Sequence, residues 1–292
     1  MSEASLGKAW FGTSAVGESM ALRVDAAGAR DHLIDAAREA GEIALGFFRL
    51  GERTSARVDY KAGGSPVTEA DFAVDAFLRT RLGEIFAGAG WLSEETEDDS
   101  GRLIRQTVLI VDPIDGTRGF LAGDPRWAVS VAVIVAGRPV AGVVHAPALA
   151  ETYAAARGCG SSLNGGAIEV SRRETLAGSR IAGPKPMMES MARAARVSFL
   201  AQPKIPSLAY RMALVASGAL DLAVGSEKAH DWDIAAVDLI VEEAGGRLVE
   251  AEGAPMRYNN AETRRGVLFA ASTTLIGPLV AAGRLAAESR LA

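Results

Sequence analysis

The segment WAVSVAVIVAGRPVAGVVHAP, residues 127–147, sets the first limit on the fold. Two apolar, β-branched runs flank Gly137-Arg138-Pro139, a connection too short for a crossover helix. Parallel neighbours need a dozen or more connecting residues, so these two strands pair antiparallel. ETYAAA (151–156) adds a third strand to the meander, and TVLIVD (107–112) reads as a buried strand preceding it.

Helical periodicity surrounds these strands. From Asp31, the residues Leu33, Ile34, Ala37, Ala40, Ala44, Phe47 and Phe48 fall on one broad face. After the loop KAGGSP (61–66) a second helix starts near Thr68, with Val74, Phe77, Leu78 and Leu82 on one side. Further on, the pattern predicts a helix over 207–218, a strand at 220–224 and a helix over 232–244 that ends at Gly245-Gly246. Strands at 247–250 and 266–271 lead into a final Ala/Leu helix. Helices mixed with antiparallel strands predict a layered α/β or α+β fold. Residues 1–27 are small, polar and aperiodic, and are read as a flexible N-terminal arm.

Charge and cysteine content restrict the chemistry. The formal net charge is −5 over 292 residues, so no general basic field is available to hold a nucleic acid polymer. A phosphate can still bind where a cation supplies the positive charge. Cys159 is the single cysteine, which excludes an internal disulfide and a cysteine zinc cluster. Three histidines, His32, His145 and His230, make a histidine-rich metal site improbable. The N-terminus shows no signal-peptide pattern and no run has the length and composition of a membrane span, so the expected location is the cytoplasm.

The chemistry-bearing residues are carboxylates, and each cluster has an ordinary structural reading. In VDPIDGTRGF (111–120), Pro followed by Asp-Gly is turn chemistry; alternatively Asp112 and Asp115 share a site that Gly116 opens to a ligand and Thr117 supplies with a hydroxyl. In WLSEETEDDSG (91–101), Asp98 and Asp99 read as a solvated loop, whereas Glu94 and Glu95 follow a strand that can hold a carboxylate rigidly. In SPVTEADFAVD (65–75), Thr68 and Asp71 have capping-box spacing. In HDWDIAAVDLIVEEAGG (230–246), Asp231 reads as an N-cap and Asp233 as a first-turn acid.

Together, SPVTEAD, WLSEE, DPIDGTRGF, GCGSSLNGG and DWDIAA…EEAGG resemble the inositol monophosphatase family of metal-dependent phosphatases, over about residues 30–290. The resemblance implies an αβαβα sandwich of the sugar-phosphatase type, usually a homodimer. It implies one phosphatase unit over 28–292, with two subdomains meeting at roughly 170–180. Carried over residue by residue, it makes Glu94, Asp112, Asp115, Asp233 and the Ile114 carbonyl ligands for two or three Mg²⁺ ions, with Mn²⁺ as a substitute. Gly116 and Thr117 would hold the substrate phosphate through their amides. Asp71 and Thr117 would form a hydrogen-bonded pair that, with Glu94, activates the attacking water. Oxygen-only ligands suit such hard cations.

Other chemistries lack support. No P-loop pattern is present, and GCGSSLNGG has Leu163 where a dinucleotide fingerprint needs its third glycine, so it reads as a Gly-rich hairpin. Cys159 has no activating base near it in sequence, and His145 reads as structural. His230 adjoins the site.

Substrate choice within the family covers inositol monophosphates, 3′(2′),5′-bisphosphate nucleosides, fructose 1,6-bisphosphate and histidinol phosphate. Inositol-type members carry an acid seven positions before the "WD" aspartate; here that position is Ser226, with Glu227 beside it. Asp115, Gly116, Thr117, Ser226 and Asp233 are the expected substrate contacts; Lys185, Lys204 and Arg211 either counter a second phosphate or are simply solvated, which is the commoner case for a lysine. GSPVTEAD, GWLSEET and DPIDGTRGF look most like bacterial bisphosphate nucleotidases of sulfur metabolism, which convert 3′-phosphoadenosine 5′-phosphate to AMP by metal-activated water. Inositol 1-phosphate and histidinol phosphate are the alternatives, and a phosphometabolite sensor is the non-enzymatic one.

Overall fold

The structure is a computed structural model that describes residues 11–12 and 23–291. Most of the expected arm, residues 1–10 and 13–22, lies outside the described residues. Helix α1 (Ala26–Phe47) starts earlier than the periodicity predicted, because the Asp25 carboxylate caps it by accepting from the Ala27 N–H. Helix α2 (Glu69–Ile85) starts where predicted, with Thr68 and Asp71 closing a capping box.

A seven-stranded sheet forms the larger half. From one edge it runs Gly166–Ile168, Ser161–Leu163, Glu151–Ala156, Arg138–Ala146, Ala128–Val135, Thr107–Asp115 and Gly90–Ser93. The predicted meander is present, with Ala136 and Gly137 at positive φ in its tight turn. GCGSSLNGG forms the expected hairpin, turning through Asn164-Gly165. One pair breaks the antiparallel pattern: Gly90–Ser93 lies parallel to Thr107–Asp115. The connection between them includes a 3₁₀ turn, Ser100–Ile104.

Strand periodicity divides the core. Leu109, Val111, Val131, Val133 and Val143 face α1 and α2, while Val108, Ile110, Ala132, Ile134 and Val144 face the opposite way. The opposite layer contains α5 (Leu208–Ala216) and α6 (Asp231–Glu243), introduced after the short α3 (Thr117–Leu121) and α4 (Lys185–Ala195). Beyond it lies a five-stranded sheet containing Arg180–Ala182, Leu222–Gly225, Leu268–Ser272 and Gly246–Glu250. Its far face packs on α4 and α7 (Ile276–Leu291), through residues such as Met188, Met191, Leu279 and Phe269. The result is the expected αβαβα sandwich. The chain leaves the large sheet after Ile168 and enters the small one at Arg180.

Two expectations need correction. Asp98 is not simply solvated: it holds the buried guanidinium of Arg102 (Oδ1···Nε 2.6 Å), while Asp99 accepts from the Gly101 N–H of the 3₁₀ turn. Asp231 is not the cap of α6. His230 occupies that position, and Asp231 lies in the first turn, buried and paired with Arg265 at 2.6 Å.

Candidate active site

The site forms at the C-terminal ends of the parallel pair. Glu94 follows the edge strand, and Asp112 and Asp115 sit at the end of its neighbour. In a regular strand, residues three apart point to opposite faces. Here Asp112 pairs with Ser130 and Asp115 with Ala128, so three steps on one strand match two on the other. This one-residue bulge returns Asp115 to the face of Asp112 and sends Ile114 to the α1/α2 side. Pro113, which has no N–H to contribute to a ladder, sits in the bulge.

Three helix N-termini meet this strand end. Asp71 lies in the first turn of α2, where its Oδ2 accepts from the Thr68 N–H at 2.8 Å and from the Thr68 hydroxyl at 2.6 Å. Asp115 Oδ2 accepts from the Ser207 hydroxyl at 2.6 Å and from the Ala209 N–H at the start of α5. Asp233 Oδ2 accepts from the His230 N–H at 2.6 Å at the start of α6. Each carboxylate thus sits at the positive end of a helix dipole. Carboxylate oxygens of Asp112, Asp115 and Asp233 come within 4.8 Å of one another.

Glu94 stands beside this group, its Oε1 held by the Lys61 ammonium at 2.9 Å. Lys61 also bridges to Glu95 at 2.9 Å. The Thr117 hydroxyl does not reach Asp71 as expected; it donates to the Ile114 carbonyl at 3.1 Å. Asp71 Oδ1 is buried with no hydrogen-bond partner, as is Asp112 Oδ2. Gly116 has φ +92°, and a Cβ there would fall 2.9 Å from the Ser207 amide nitrogen, so both conformation and space require glycine. Ser226 and Glu227 are exposed beyond strand Leu222–Gly225.

The charges are in tension. Burial, then repulsion from Glu94, Asp115, Asp233 and Asp71, pushes the Asp112 carboxyl well above the usual range. Burial and then Asp115 push Asp233 the same way. Burial raises Asp115 to about 6 against the pull of the Ser207 hydrogen bond, and raises Asp71 to about 6 against that of Thr68. Orphaned buried oxygens and crowded carboxylates fit hard divalent cations, which neutralise such a cluster and accept oxygen-only ligation.

Remaining polar residues have structural duties. His145 is buried, bonded through Nδ1 to Thr152 Oγ1 at 3.0 Å, and burial lowers it to about 4. His230 stacks on Trp232 at 4.5 Å and bonds Thr263 at 3.1 Å. Cys159 is exposed on the hairpin. Sequence reasoning missed Ser207 and Lys61, which hold Asp115 and Glu94; the Ser207 position preceding a helix was the available signal for the first.

The sequence profile of the inositol monophosphatase family matches residues 27–289. The chain belongs to this family. It is 35% identical over 240 residues to the histidinol-phosphatase of Mycobacterium tuberculosis, covering 76% of this chain and 85% of that protein. It is 34% identical to inositol monophosphatase 2 of Solanum lycopersicum, covering 76% and 87%. The 3′(2′),5′-bisphosphate nucleotidase CysQ of Aggregatibacter actinomycetemcomitans is 28% identical, covering 79% and 87%. Among solved structures, the extragenic suppressor protein suhB from Bartonella henselae superposes with a TM-score of 0.77 at 29% identity, covering 88% of this chain and 98% of that one. Members of the inositol monophosphatase family are Mg²⁺-dependent hydrolases of phosphate monoesters, and this chain carries the acidic cluster such ions require. No described helix is long and apolar enough to cross a membrane.

Proposed function

We propose that this phosphatase is a 3′(2′),5′-bisphosphate nucleotidase that converts 3′-phosphoadenosine 5′-phosphate to AMP and phosphate. The observation that carries the substrate choice is Ser226, an exposed hydroxyl where inositol-type members place a carboxylate for a sugar hydroxyl. A neutral serine holds such a hydroxyl less strongly than an ionised acid. Its neighbour Glu227 is also exposed, and its main-chain oxygen accepts from Arg264.

Glu94, Asp112, Asp115, Asp233 and the Ile114 carbonyl would hold the Mg²⁺ ions. Bound there, the ions offset the charge of the phosphate dianion and of the departing oxygen and make the attacking water more acidic. Gly116 and Thr117, at the start of α3, would offer their amides to the phosphate. Glu94 would take the proton of the attacking water, and the Thr117 hydroxyl, which donates to the Ile114 carbonyl, would orient that water by accepting a hydrogen bond from it. Asp71, held by Thr68 and close enough to Glu94 to feel its charge, would be a second acceptor.

The test is phosphate release with Mg²⁺ from 3′-phosphoadenosine 5′-phosphate, inositol 1-phosphate and histidinol phosphate. A preference of about a hundredfold in kcat/KM for the nucleotide supports the proposal. The second reading, histidinol-phosphatase, draws on the 35% identity to the mycobacterial enzyme and predicts the reverse order. Tight Mg²⁺-dependent binding without release from any of the three would make the protein a sensor.

A further inference from the structure

A cavity of about 670 Å³ opens between α4 and α5, in the size range of small-molecule sites. Arg211 lies in its wall. Its amide donates to the Ser207 carbonyl at 3.3 Å, and Ser207 in turn holds Asp115. Arg211 follows Ser207 by one helical turn, and its guanidinium lies close enough to Asp115 and Asp233 to feel their charge, so it joins the cavity wall to the carboxylate cluster. Arg211 Nε is buried without a hydrogen-bond partner.

The rest of the wall has two characters. Pro184, Met188, Ala192 and Phe199 make one side apolar. Lys185, Lys204 and Arg211 bring positive charge against the single acid Glu189. Lys185 and Glu189 lie 3.9 Å apart on the exposed face of α4, so their charges largely offset one another. Lys204 and Arg211 remain, with Asp124 close enough to Lys204, and Asp115 and Asp233 close enough to Arg211, to act on their charges.

We propose that this cavity receives the leaving group of the substrate, and that this group is a nucleoside 5′-phosphate. Its base lies against Met188 and Phe199, and its phosphate lies between Lys204 and Arg211. The assignment rests on the bisphosphate reading of the adjacent site and adds the residues that select for it. An inositol ring, hydroxylated at every carbon, would leave those hydroxyls unpaired against the apolar side. A histidinol ammonium would meet the exposed ammonium of Lys204. A nucleotide offers both a flat apolar face and a dianion, matching the two sides.

The experiment compares adenosine 3′,5′-bisphosphate with adenosine 3′-phosphate as substrates, for the native protein and for Lys204→Glu. Lys204 is exposed, so the exchange spares the core. The ratio of kcat/KM values, bisphosphate over monophosphate, is expected to fall at least tenfold in the variant. A ratio within about twofold of the native one overturns the assignment. If the native protein fails to hydrolyse the bisphosphate, the proposed activity fails, and the cavity is judged separately by AMP competition against p-nitrophenyl phosphate. Competition weakened at least tenfold by Lys204→Glu would uphold the cavity; absent competition, or competition unchanged by the variant, would overturn it.

Discussion

Asp112 is buried, and one of its oxygens has no partner within the protein. Its charge is therefore costly until cations arrive, whereas an amide at the same position is not charged. Asp112→Asn is expected to lower phosphate release by at least about a thousandfold. In chelator, the same variant should be as stable as the native protein or more stable by about 1–2 kcal/mol, because a repelled buried charge is gone. Urea denaturation in EDTA checks this, and a clear loss of stability would refute the electrostatic account. Gly116→Ala should act oppositely, costing roughly 2 kcal/mol or more through its left-handed φ and the approach of Ser207, in both the presence and absence of Mg²⁺. At this scale the sequence was most legible where local chemistry and function coincide. Asp71 has capping-box spacing, and it does cap α2. Lys61, Ser207 and Arg102 were not legible in their roles, because their partners Glu94, Asp115 and Asn259 are brought near only by the tertiary fold.

Elements carry the next layer of explanation. The strand Thr107–Asp115 was readable from its apolar run, but the bulge at Pro113-Ile114 was not, since the register of a neighbouring strand defines it. The parallel placement of Gly90–Ser93 was likewise hidden, as pairing partners leave no local trace in one sequence. Helix α4 was missed despite its Met187, Met188 and Met191 spacing, because the Gly-Pro-Lys-Pro entry reads as loop. Helix α6 links the site to the opposite end of the core. Its Asp238 accepts from the Tyr258 hydroxyl at 2.9 Å, and burial raises that carboxyl to about 7 against the pull of Tyr258. A raised carboxyl binds its proton more tightly in the folded chain than in the unfolded one. Its stabilising contribution is thus complete below pH 4, declines as pH rises toward 7, and is absent above. Between pH 5 and pH 7.5 this group should lose about 2 kcal/mol of stability in the Mg²⁺-loaded protein, and Asp238→Asn should flatten the profile by that amount. Denaturation midpoints at the two pH values measure it; an unchanged slope in the variant would assign the loss elsewhere.

The whole molecule follows from alternating layers, and most of that was legible. Helical and strand periodicities gave the two element types, and the short connection read at Gly137-Arg138-Pro139 required an antiparallel pair of strands, which the structure turns through Ala136-Gly137. The five-layer order became explicit only through the faces of each strand, with Val108 and Leu109 facing opposite helical layers. Because the carboxylates come from both the large sheet and α6, cations bound among them would add a link between parts of the molecule that already meet through packing and a few hydrogen bonds, such as Ser130 to the Trp232 carbonyl and Ser161 to the Ile240 carbonyl. Chelation is expected to lower the melting temperature by roughly 5 °C or more, with recovery that depends on Mg²⁺ concentration. A melting curve indifferent to EDTA would show that the cluster holds no ion that matters to stability.

The same division has a kinetic side. Asp112 and Asp115 lie on the strand Thr107–Asp115, whereas Asp233 comes from α6, which follows Arg180–Ala182 and Leu222–Gly225 of the small sheet in sequence. Contacts so distant in sequence close slowly. High-affinity metal binding is therefore expected late in folding, and during refolding the return of phosphatase turnover should lag behind the return of secondary structure. The carboxylates stay repelled and weakly binding until then, so a half-folded chain would have little hold on magnesium.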